Sequence, residues 1–294
     1  SQNSQFKQPM PNWIARPPHP LGEATRPHPW ELELLAKEFV LNANTRGQRS
    51  LARWSDFSIL FNQLRKLEDD IYGQNPGAQE DILHEIFRIA HREFPWQTPP
   101  NSNSLARYFR IYSSPEISRI VAAQFGIDIR TIYLVGFALI TYFMSGAIVD
   151  WNSLSVPTVS QDQLDTFVRH FSKELTPLRQ QIKDTQSFTT DFVYVFNPLR
   201  RWPILFHDFG EGPKLVAPVP TLLFRAFTDG IYYEVVNVPG FANSFGESFQ
   251  QYVGDALHSV IPRDWHLISE QPYTVGRDEK RTIDWILVDP TANL

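Results

Sequence analysis

At 294 residues, 42% of them hydrophobic and 20% charged, the chain can bury one large core or two ordinary ones, and its composition excludes a disordered or fibrous protein. A net charge of -5 excludes a broadly basic nucleic-acid coat, though not a local basic channel. The absence of cysteine excludes disulfides, thiolate nucleophiles and cysteine-ligated zinc, and it favours a cytoplasmic setting.

Residues 1–29 hold seven prolines among polar residues, with Trp13 and Ile14 interspersed. Proline fixes φ and removes a backbone donor, so this stretch is expected to be an extended arm lying over the body of the protein. Residues 30–186 then read as a helical domain. Trp30 to Leu41 is a short amphipathic segment. Leu51 to Tyr72 places Leu51, Trp54, Phe57, Leu60, Phe61, Leu64, Leu67 and Ile71 at three- and four-residue spacings, and Gly77 to Phe94 repeats the pattern with Ile82, Ile86, Phe87 and Ala90. Pro95, Pro99 and Pro100 break the chain before Ser104 to Tyr112 and Pro115 to Phe125.

Thr131 to Val149 carries no charge over 19 residues, about the span of a bilayer. It also contains Thr, Ser, Tyr and Gly, and it lacks a Lys/Arg-rich flank, so a buried helix is expected rather than a membrane anchor. Ile117 to Val135 has helix-turn-helix spacing, yet only Arg130 could read a base, and core packing explains it better. Gln161 to Leu175 and Leu178 to Lys183 close the helical series.

Residues 187–294 change texture. Asp191 to Phe196 and Ile204 to Phe209 are strand-like. Leu222 to Phe227 and Ile231 to Val236 flank Thr228-Asp229-Gly230, which predicts a hairpin. A helix over Gly240 to His258 follows, then a strand-like HLISEQPYTV, a polar turn and a final strand over Arg281 to Asp289. The expected fold is α+β, an all-α domain followed by a mixed α/β domain.

The last helix sets Phe245, Phe249 and Tyr252 on one face and Glu247 and Gln251 on the other, where simple solvation is an equally good reading. Asp284 sits within an apolar run, Ile283 to Val288, which reads as buried; a carboxylate there needs a metal, or a partner such as Arg281, Lys280 or a backbone amide. Arg200 and Arg201 beside Trp202, with Arg225, form a candidate phosphate-facing, nucleic-acid-binding patch, or else pair with the chain's acids.

FANSFGESFQQYVGDAL followed by RTIDWILVD resembles the start of the PD-(D/E)xK nuclease-like domain of a group of bacterial proteins, and the likeness extends upstream through FNPLRRWPILF and LLFRAFTDGIYY. The resemblance implies a restriction-endonuclease-like fold, DNA as substrate, and Glu247 and Asp284 as Mg2+ ligands and catalytic residues, with Gln251 supporting them. The acidic-x-Lys strand that completes such a site does not follow Asp284, and Asp278-Glu279-Lys280 precedes it in a turn. The expectation is therefore an incomplete domain that binds Mg2+ weakly and does not cut. The alternative is a non-catalytic interaction or nucleic-acid-binding module, with the helical domain open to a protein partner.

Overall fold

A computed structural model describes residues 27–42, 53–73, 82–97 and 101–291. The proline-rich arm, apart from its last residues, lies outside that set, as do the starts of the helices expected from Leu51 and Gly77. The helices are α1 (Pro29–Asn42), α2 (Trp54–Gly73), α3 (Ile82–Gln97), α4 (Ser102–Tyr112), α5 (Pro115–Phe125) and α6 (Ile129–Ser145), then α7 (Gln161–Phe171), α8 (Leu175–Thr185), α9 (Pro220–Ala226), α10 (Gly230–Val235) and α11 (Phe241–Val260). The strands are β1 (Ile148–Asp150), β2 (Ser172–Glu174), β3 (Ile204–Asp208) and β4 (Pro213–Val216), followed by β5 (His266–Ser269), β6 (Pro272–Val275), β7 (Asp278–Arg281) and β8 (Trp285–Val288). The fold is mixed α+β. Packing divides it into unit 1, residues 1–100 and 131–230, and unit 2, residues 101–130 and 231–294, on different lines from the change of texture at Ser187.

Unit 1 is built on a four-stranded sheet of order β1-β4-β3-β2, with β2 parallel to β3 and the other neighbours antiparallel. β1 and β2 come from the stretch expected to be wholly helical. Three-residue strands are too short to show an alternation, and here the long-range ladder makes them, not local propensity. Opposite Lys214, Asp150 makes a cross-strand ion pair of 2.6 Å that holds the β1 edge. Ala36 and Val40 of α1, Leu178 and Ile182 of α8, Leu199 and Leu205 form one apolar core over this sheet.

Several segments differ from their sequence reading. Asp191 to Phe196 makes no strand; Thr190–Val193 is a 3-10 turn, and Phe192 is wholly buried against Ile71 and Tyr72. Leu222 to Phe227 and Ile231 to Val236 are not a hairpin but the helices α9 and α10. Pro220 at the first turn suits a helix start, and the Thr228 hydroxyl donates to the Phe224 carbonyl at 2.8 Å. Tertiary packing decides this case: Phe227 fits against Gly136 of α6, where any Cβ would stand 2.6 Å from the ring. Pro95 lies inside α3 rather than ending it, and Ile86 and Phe87, read as the buried face, are exposed. The side of α3 carrying Arg92 turns inward instead. α6 buries Ile132, Val135 and Leu139, and among the described residues no single helix is long and apolar enough to cross a membrane.

Acids on α1 are buried with matched bases. Glu31 receives Arg65 of α2 at 2.7 and 3.1 Å while also accepting the His28 backbone N–H at 2.7 Å. Glu33 receives Arg200 at 2.6 and 3.1 Å, and Glu68 of α2 receives Arg92 of α3 at 2.6 Å. Lys37 is the exception: it is 1% exposed, its Nζ has no hydrogen-bond partner, and it sits 4.0 Å from Glu38 and 4.8 Å from the Phe192 ring centroid.

Burial pushes the Lys37 ammonium below the usual lysine range, against the opposing pull of Glu38. The unfolded chain therefore binds this proton more tightly, so stability rises with pH from the lowered value up to about 10.4, where an ordinary lysine titrates. Lys37→Met is expected to stabilise the protein by about 1 kcal/mol at neutral pH, with the gain shrinking as pH approaches 10. Urea denaturation across that range checks it, and a gain that does not vary with pH would remove the lysine charge as its cause.

Candidate functional site

Unit 2 is organised around α11. The helix starts after Gly240, whose φ of 85° is in the left-handed region that glycine takes without strain. Its apolar face carries an aromatic series: Phe241 and Phe245 lie 5.5 Å apart, and both contact Tyr232, at 5.7 and 5.1 Å between ring centroids. α4 and α5 pack on the same helix, with Tyr112 of α4 6.4 Å from Phe245.

Where these helices meet, Arg110, Ser114, Glu247, Ser248, Gln251 and Tyr252 line an open cavity of about 290 Å³. Ser248 donates to the Ser114 hydroxyl at 3.0 Å. Arg110 forms an ion pair with Asp255 and lies over the Tyr252 ring. The Gln251 amide donates to Asp255 at 3.0 Å, so it orients that acid rather than Glu247. Glu247 itself is exposed and makes no hydrogen bond or ion pair among the described residues.

The strands of unit 2 form one long hairpin. β6 pairs with β7 in a register where Val275 faces Asp278, and β5 pairs with β8 where Ser269 faces Trp285. Between the two ladders the register shifts by one residue, the signature of a bulge on the second strand. At that point the Thr282 hydroxyl accepts the Gln271 N–H at 2.8 Å, Thr282 N–H donates to the Gln271 carbonyl at 3.0 Å, and Glu270 N–H donates to the Asp284 carbonyl at 2.9 Å.

Asp284 therefore lies on a bend before β8, not inside it, and its side chain is exposed. The expected burial fails because a two-stranded ribbon covers little, and the bulge turns this residue out. The helix-facing anchor is the next residue. Trp285 seats against Gly254 of α11, its indole N–H donates to the Gln250 carbonyl at 3.1 Å, and His258 meets its ring edge-on at 6.2 Å.

The structure thus brings Glu247 and Gln251 into one cavity, and Asp284 is not among its lining residues. Among the described residues no group of three or more His, Asp or Glu side chains could hold a metal ion. Mg2+ takes near-octahedral oxygen ligation, with one or two carboxylates plus waters and phosphate. The cavity supplies one free carboxylate, Glu247, the lower end of that range.

The expected basic patch is divided by its partners. Arg200 is engaged by buried Glu33, and Arg225 stacks 5.0 Å over Trp96. Arg201, 5.5 Å from the Trp202 ring centroid, keeps an exposed side chain. Sequence spacing missed Arg110, Ser114 and Asp255. The i,i+4 relation of Gln251 to Asp255 was readable, but Arg110 lies 145 residues away and no local pattern points to it. Compared with protein-family models, curated proteins and solved structures, the chain matches none.

A Cβ at Gly254 would overlap the Trp285 ring. Gly254→Ala is expected to displace the hairpin from α11 and destabilise unit 2 by about 1–3 kcal/mol, with tryptophan fluorescence shifting toward that of exposed indole. Unchanged emission and midpoint in chemical denaturation would contradict this close contact.

Proposed function

We propose that the chain is a non-catalytic interaction module whose unit-2 cavity receives a lysine or arginine side chain of a protein partner. The observation supporting this reading is the separate placement of the two expected metal ligands. Glu247 lines the cavity as a carboxylate with no partner among the described residues, while Asp284 stands exposed at the hairpin bulge and outside the lining. A lone carboxylate suits one ammonium or guanidinium group through a charge-assisted hydrogen bond. Arg110, the base in the cavity, is already matched by Asp255, and acidic residues outnumber basic ones in unit 2, which disfavours a phosphate-rich partner. Exposed Phe249, Tyr273, Val275 and Ile283 add apolar surface of the kind that partners cover.

The nuclease-like reading, with a restriction-endonuclease-like scaffold, DNA as substrate and Mg2+ as the ion, is favoured by one different observation. The elements bearing Glu247 and Asp284 are packed neighbours through Gly254 and Trp285, and neither carboxylate has a partner among the described residues.

Incubation with supercoiled plasmid and Mg2+ separates the two readings. The plasmid is expected to stay intact; nicking that disappears in both Glu247→Ala and Asp284→Ala would replace the binding reading with the nuclease. For the module itself, calorimetry with a lysine- and arginine-rich peptide is expected to show binding that Glu247→Gln weakens about two- to fivefold, the range of a solvent-accessible ion pair. Equal affinity in the two proteins would remove Glu247 from the interface.

A further inference from the structure

In unit 1, α3 leaves its apolar side open. Leu83, Ile86, Phe87 and Phe94 are between 53% and 66% exposed, and with Ala90 they follow three- and four-residue steps along one face. The opposite side is held inward by Arg92 and its pair with Glu68. Together the four large side chains present roughly 500 Å² of apolar surface, near the top of what a monomer ordinarily leaves bare. A patch of that size marks a surface that something covers.

We propose that residues 1–26, the proline-rich arm, dock along this stripe with Trp13 and Ile14 as their apolar anchors. Attachment is the first argument. The arm ends where α1 begins: the His28 backbone N–H donates to Glu31 at 2.7 Å, and the guanidinium of Arg92 lies 4.6 Å over the Trp30 ring. α1 and α3 are packed neighbours, so the arm starts out from α3 itself, beside a residue two positions from Phe94. A small cavity of about 110 Å³ at this junction is lined by Trp30, Glu33, Arg92 and Arg200 among others; its acid is matched by Arg200 and makes no demand on the arm's charges.

Reach is the second argument. Trp13 stands fourteen residues before Pro27. Proline-rich chain extends about 3.1 Å per residue, a tether of about 43 Å, against about 24 Å for the whole 16-residue length of α3. That suffices to pass round the helix from the Arg92 side and reach any point on the stripe.

Composition is the third. Residues 43–52, 74–81 and 98–100, the other stretches of unit 1 outside the described set, contain one large aliphatic or aromatic residue, Leu51. Residues 1–26 contain Phe6, Met10, Trp13, Ile14 and Leu21. Their prolines restrict φ in the free chain as well, so ordering the arm on a surface costs less entropy than ordering an ordinary tail. Lys7, Arg16 and Arg26 outnumber Glu23, and the exposed Glu93 borders the stripe. Area disfavours a second copy as the occupant, because a stable dimer buries about 800 Å² per partner and the stripe offers less.

The inference stands apart from the reading of the Glu247 cavity, which lies in the other unit. Hydroxyl-radical footprinting of the whole chain, read by mass spectrometry, tests it. Phe87 and Phe94 are expected to be oxidised more slowly than Phe209, an exposed phenylalanine of the same unit. In the double variant Trp13→Ala, Ile14→Ala the rate at both rings is expected to rise about threefold, the step from a covered ring to one two-thirds exposed. Buried Phe167 staying protected in both proteins reports an intact fold. Oxidation of Phe87 and Phe94 at the full rate in the wild-type chain overturns the inference. Protection that survives in the variant overturns it too, and if that protection falls on dilution a second copy is the occupant instead.

Discussion

Unit 1 depends on the neutralisation of buried acids on its first helix. Glu31 and Glu33 are each 3% exposed, and a carboxylate so far from water is tolerated only with a base and hydrogen bonds around it. The bases arrive from distant elements: Arg65 from α2, 34 residues on, and Arg200 from the turn before β3, 167 residues on. Glu68 and Arg92 repeat the arrangement between α2 and α3. Glu31 and Glu33 therefore specify which elements lie beside α1, and Glu68 sets α3 beside α2; removal of one partner would leave a buried charge at a cost of about 3–5 kcal/mol. Apolar contacts among Ala36, Val40, Leu178 and Leu205 supply the cohesion; the ion pairs fix the register.

That network also explains what could and could not be read in advance. The three- and four-residue spacing in α2 identified Phe61, Leu64 and Ile71, all of which are buried, because a helix face repeats within the chain itself. On α11 the same spacing identified Phe245 and Tyr252, which are half-buried, but Phe249 is exposed and Tyr252 lines the cavity with Glu247. The α3 face was read the wrong way round. Ile86 and Phe87 are the apolar residues, but the inward side is decided by Arg92 meeting Glu68, an interaction with no sequence periodicity. Leu222 to Phe227 looked like a strand because a short apolar, aromatic run suits either element, and Gly136 across the unit was the deciding partner.

The candidate site was half legible. Glu247 and Gln251 share a face one helical turn apart, and that face does line a cavity. Asp284 looked buried because Ile283 to Val288 is continuously apolar, yet the one-residue register shift at Thr282 ends the β6–β7 ladder and turns Asp284 outward before β8 begins. A bulge is set by the pairing of two strands, so neither strand's own sequence contains it. The Arg200 and Arg201 pair shows the same division: adjacent in sequence, one side chain is drawn in by Glu33 and the other stays exposed.

The two cavities contrast in a way that bears on function. In unit 2 the lining base, Arg110, is matched and a carboxylate is spare in an open cavity. In unit 1 the lining acid, Glu33, is matched by Arg200, and the cavity is smaller. Solvent screens the first, so a cation there gains modest energy and exchanges readily, as suits a reversible contact with another protein.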